Sequence, residues 1–140
     1  MAMTEHEVAK AYATTAARTV SEGPMLLIKL YDTLADDIEL AKRYLEAADF
    51  ELVDRKLQHA QKIVIVLRSS LKVDGFRGGP TLFAIYNTLV DLLIKANLNK
   101  DVEPLDKCQE FIGPLHGAWI EAVARETQRE KASLGAIGMA

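Results

Sequence analysis

Apolar residues recur along most of this chain at alternating spacings of three and four, the signature of helices that bury one face. The densest stretch is TLFAIYNTLVDLLIKANLN, from Thr81 to Asn99. Leu82, Tyr86 (or Ile85), Leu89, Leu93 and Ala96 form one core-facing stripe, and Phe83, Val90 and Ile94 form a second stripe beside it. A helix with two apolar faces either sits at the centre of its fold or keeps one face for a partner.

Three other segments carry the same pattern. Leu27, Tyr31, Leu34, Ile38, Ala41 and Leu45 predict a helix from about Pro24 to Ala48, with Asp36, Glu39, Lys42, Arg43 and Glu46 on its charged face. Val53, Leu57, Ala60, Val64, Leu67 and Leu71 predict a second helix from about Phe50, with Asp49 as N-cap. Within it the run from Ile63 to Leu67 is apolar throughout, so Ile63 and Val66 are expected on the flank of the seam and Ile65 outward. Leu105, Cys108, Ile112, Leu115, Trp119 and Ala122 predict a last helix from about Val102 to Arg129, capped by Asp101. Pro114 falls inside it, where a missing N–H and a clash with the preceding turn predict a kink.

Glycine and proline cluster between these segments, at Gly23-Pro24 and at Gly75 to Pro80. No strand-like alternation occurs. The expected fold is therefore all-α: an antiparallel up-down four-helix bundle over residues 21–129. A short, weakly helical N-terminal segment, residues 1–20, precedes it, with Val8 and Tyr12 on one face. A frayed tail, 130–140, follows.

The chain has 140 residues, enough for one domain with a real core, and is 49% hydrophobic. Its net charge of −3 gives no basic footprint for nucleic acid. No apolar run reaches the roughly 18 residues of a membrane span, and the N-terminus does not read as a signal peptide. One cysteine fits a reducing compartment, so a cytoplasmic location is expected.

Chemistry is sparsely signalled. A di-metal carboxylate site would need Glu-x-x-His pairs, and His6, His59 and His116 each lack a glutamate three residues earlier, so no metal and no cofactor is expected. His59 and Lys62 have the spacing of a histidine phosphotransfer domain, although Ile63 stands where a small residue belongs. Cys108 lies on a seam and reads as a small buried hydrophobe. Gly113 and Gly117, one turn apart, either pack closely on a neighbouring helix or leave a groove for a partner helix.

Ala11-Tyr12, Leu27 to Asp32, His59-Ala60-Gln61-Lys62-Ile63-Val64, Gly78-Gly79, Ala96-Asn97-Leu98 with Asp101 and Leu105, and Ala118-Trp119-Ile120-Glu121 keep a fixed order over about residues 11–122. Together they resemble the flagellar export chaperones of the FliS family. The proline before the first long helix stands later than in that family, and Pro114 and Gly117 depart from its usual last helix. The resemblance implies a non-enzymatic bundle that binds the disordered C-terminal segment of flagellin before type III export, with other flagellar export proteins as further partners. On that reading Ile65, Val66, Phe83, Val90, Ile94, Gly113 and Gly117 are the candidate client-binding residues, and Val8 and Tyr12 a competing lid. The alternative is phosphotransfer through His59. The second apolar stripe is also compatible with a homodimer, so the state is expected to be monomer or homodimer.

Overall fold

A computed structural model describes Glu7, residues 23–71 and residues 78–136. Val8 and Tyr12 lie outside these. The described chain forms four helices: α1 (Gly23–Glu46), α2 (Phe50–Ser70), α3 (Gly79–Asn99) and α4 (Glu103–Ala136). No strand occurs among the described residues.

Local chemistry sets the helix ends. Asp49 caps α2, its side chain accepting from Leu52 N–H at 3.3 Å. Asp101 accepts from Glu103 N–H at 3.2 Å at the start of α4. Gly78 contributes no side-chain cap to α3, whose first turn instead holds Pro80, where a missing N–H is harmless. Both tight connections pass through a left-handed residue, Ala48 (φ 55°) and Lys100 (φ 50°). In each, the following amide reaches back five residues, Asp49 N–H to Tyr44 and Asp101 N–H to Ala96, which satisfies a carbonyl at the helix end.

Those connections make α1–α2 and α3–α4 antiparallel hairpins, and contacts close α2 on α3 and α4 on α1 into a ring. Side-chain pairs fix the register. Arg68 donates to Asn87 and Asn97 donates to Asp54 between α2 and α3. Between α4 and α1, His116 pairs with Asp32, Gln109 with Glu39, and Lys42 with Asp106. In both sets one number falls as the other rises, so these helices too run antiparallel.

The seams fill the core as the periodicity predicts. Tyr31, Leu34, Ile38 and Ala41 from α1, all six predicted positions of the second helix, and all six of the last are buried. In α3 both Ile85 and Tyr86 are buried, together with Leu82, Leu89, Leu93 and Ala96. Tyr31 and Tyr86 join hydroxyls at 2.6 Å across the diagonal of the bundle, and the Tyr31 ring stacks on His116 at 6.3 Å. A diagonal bond between non-adjacent helices fixes their relative height in a way apolar contacts do not.

Several expectations change. α4 runs as one helix through Pro114 to Ala136, so the tail expected to fray from residue 130 is helical as far as that residue. Its sequence there, ETQREKASLGA, is rich in good helix formers, and Arg125–Glu121 and Arg129–Glu126 pairs support it. Val66 is 51% exposed and Ile65 39%, so Val66 is not on the seam's buried flank. Asp37, next to the α1 seam, is buried at 3% exposure. It is compensated by His59, whose Nδ1 lies 2.5 Å from its Oδ2, and by Lys56 at 4.0 Å.

Candidate functional site

The surplus apolar residues of α3 open onto one seam. Phe83, Val90 and Ile94 lie on the same flank as Asn87 and Asn97, the two residues that reach across to α2. Phe83 (39%) and Ile94 (40%) remain exposed, while Val90 is half-buried against the core. From α2, Gln58, Gln61, Lys62 and Ile65 meet Ile94, Asn97 and Leu98 around an open groove of about 320 Å³. Leu98, 79% exposed, is its most solvated apolar wall. Leu98 stands one helical turn past Ile94 and so continues the second stripe, which as read from the sequence stops at Ile94.

Two hydrogen-bonded bridges frame this groove. At one end Arg68 Nη1 donates to Asn87 Oδ1 of α3 at 2.8 Å. At the other, Asn97 Nδ2 donates to Asp54 Oδ1 at 2.8 Å, Gln58 donates to the same carboxylate, and Lys100 donates to Asn97 Oδ1 at 2.5 Å. The hydrogen bond from Asn97, then that from Gln58, with Lys100 adding its charge, hold the Asp54 carboxyl below the usual aspartate range. Asn97 therefore joins two helices rather than merely ending one. From Asp54 to Arg68 the frame spans fourteen residues of α2, about 21 Å or roughly four turns.

The structure divides the candidate residues among several faces. Ile65, Phe83, Val90 and Ile94 share the α2–α3 seam. Val66 does not, because it follows His59 by two turns on the flank where His59 meets Asp37 of α1. Gly113 and Gly117 are exposed on α4. A Cβ added at either glycine would meet nothing within 4 Å, so neither is there for close packing on a neighbouring helix of the bundle. Gly113 shares a face with Ile120, beside His116, which pairs with Asp32 of α1. That seam lies across the ring from the α2–α3 groove.

Nothing at the groove resembles a reaction centre. No group of three or more potential metal ligands occurs among the described residues. His59 holds buried Asp37 between α1 and α2, which accounts for its place on the helix. Cys108 is fully buried, and desolvation pushes its thiol up to about 12, far from a nucleophilic thiolate. No helix among the described residues is long and apolar enough to cross a membrane.

An all-helical bundle with surplus apolar side chains in an open, polar-framed groove has the build of a protein that associates with another chain. Its family is specific. The sequence model of the flagellar protein FliS matches residues 4–126, most of the chain, and the protein belongs to the FliS family of flagellar export chaperones. No curated protein matches the chain.

Proposed function

We propose that this protein holds the disordered C-terminal segment of flagellin in the cytoplasm and keeps it from polymerising before type III export. The observation that carries this reading is that Phe83 and Ile94 of the second stripe of α3 stay exposed, Ile94 in the groove with Ile65 and Leu98, while Val90 alone of that stripe packs on the core. An isolated apolar patch of this kind promotes aggregation unless a partner covers it. The client segment orders into a helix whose apolar face lies along Ile65, Phe83, Val90 and Ile94. Its ordering entropy limits affinity and eases later release.

Val66 and the Gly113–Gly117 patch are contacted only by a client that continues around the bundle, since one helix in the α2–α3 groove reaches neither. Val8 and Tyr12 compete with the client as a lid. Co-purification with flagellin, intact and lacking its C-terminal segment, tests the reading. Recovery of the intact form alone is expected. Equal recovery of both, or of neither, refutes it.

A further inference from the structure

Helix-breaking residues are kept out of the interiors of three helices. Residues 25–46 of α1, 50–70 of α2 and 81–99 of α3 contain neither glycine nor proline. α4 instead gathers three into little more than one turn, Gly113, Pro114 and Gly117. Each weakens the helix by its own route. Pro114 has no N–H to give the Glu110 carbonyl, and its ring crowds that carbonyl. The two glycines lose more backbone freedom on becoming helical than alanine would. Packing does not account for them, since a Cβ at either meets nothing within 4 Å.

The same turn divides α4 into unequally anchored parts. Before it, residues 103–112 bury Pro104, Leu105, Cys108 and Ile112. Past it, from residue 118 to 135, only Ala118, Trp119 and Ala122 are buried, and two of these are alanines. The inner seam then turns polar, with Glu126, Arg129 and Ser133 at its next positions. Arg125 and Arg129 pair with Glu121 and Glu126 of α4 itself, so these ion pairs stiffen the segment without tying it to the ring. At the turn, His116 pairs with Asp32 of α1 and stacks on Tyr31, which fixes a pivot.

We propose that α4 is a jointed helix: the turn Gly113–Gly117 is a hinge, and residues 118–136 form an arm that leaves α1 and α3 as a unit while residues 103–112 and the other three helices stay folded. This goes beyond the chaperone reading and does not depend on it. Opening lifts Trp119 out of the core and uncovers the faces of α1 and α3 on which this part of α4 packs. The groove lined by α2 and α3 takes no residue from α4 and persists in the opened molecule. Sub-global opening of this kind draws on the least anchored unit of a fold.

Native-state hydrogen exchange of the full chain, read amide by amide by NMR and corrected for intrinsic rates, tests the hinge. In the wild type, amides 118–123 should exchange about tenfold or more faster than the α2 amides from Leu57 to Leu67, with the step falling between Ile112 and Ala118. Gly113→Ala/Gly117→Ala should slow amides 118–123 by about 5- to 30-fold. Arg55→Gly, on the exposed face of α2, should speed the Leu57–Leu67 amides about fivefold and leave amides 118–123 within about twofold, because α2 is folded in both the closed and the opened form. Circular dichroism checks that each variant keeps its native helicity.

Protection that declines smoothly from Leu105 to Ala136 describes fraying from the end of the helix and overturns the inference. Amides 118–123 that share the α2 rates and follow Arg55→Gly describe a helix that opens only with the whole bundle, which also overturns it. So does a double alanine variant whose amides 118–123 stay within about twofold of the wild type. None of these outcomes bears on flagellin binding, so the chaperone reading stands or falls separately.

Discussion

Leu93 and Ile94 are adjacent in α3 and similar in size, yet they point to different jobs. Leu93 has no exposed surface and Ile94 is 40% exposed. Leu93→Ala leaves a cavity in a closed ring of helices, at about 2.7–5 kcal/mol of stability. Full burial of an isoleucine side chain is worth about 1.5–3 kcal/mol, so the fraction of Ile94 already covered contributes about 1–2 kcal/mol to the fold. The 40% still open closes when a client docks, which adds about 0.6–1.2 kcal/mol to binding, or about three- to eightfold in Kd.

With a urea slope of about 2 kcal/mol per molar, Leu93→Ala lowers the unfolding midpoint by about 1.4–2.5 M and Ile94→Ala by about 0.5–1 M. Urea titration followed at 222 nm reads the first quantity. Anisotropy with the flagellin C-terminal segment reads the second, in buffer where both variants remain folded. Ile94→Ala should weaken the client and Leu93→Ala should leave its Kd within twofold. Equal midpoint shifts, or a binding loss confined to Leu93→Ala, would show that the second stripe of α3 belongs to the core and not to a partner.

Asn97→Ala should raise the Asp54 titration midpoint toward the ordinary aspartate value in a carboxyl NMR titration, because its largest depressing contact is gone. The sign follows from the folded-state depression: Asp54 stabilises the fold above about pH 4 and loses that contribution as pH falls through its lower folded value, so the variant should show a smaller acid-side loss. Cys108 should be inert to a thiol reagent at pH 8 in the native state and react at a rate set by unfolding; fast stoichiometric labelling of folded protein would contradict its burial. Gly113→Ala and Gly117→Ala should each stabilise the protein by roughly 0.5–1 kcal/mol, since the new Cβ meets open space and the unfolded chain loses freedom; a lower melting temperature in the free protein would show that the helix needs glycine there.

The amino-acid sequence by itself determined the four helices, their caps at Asp49 and Asp101, and nearly every buried seam position. Each of these depends on near neighbours in the chain: a three-four period fixes the angle of a side chain about its own helix, and a cap is closed within three residues. It also marked Phe83, Val90 and Ile94 as surplus to one core. Only the tertiary structure decided what lies beside each flank. Ile65 and Val66 stand about 100° apart on α2, so the order of helices around the ring sends one toward α3 and the other toward α1. The same ordering places Asp37 against His59, makes Asn97 a cross-helix bond to Asp54, and leaves Gly113 and Gly117 facing open space. Periodicity carries an angle but no identity of the neighbour, because that choice belongs to contacts between residues far apart in the chain.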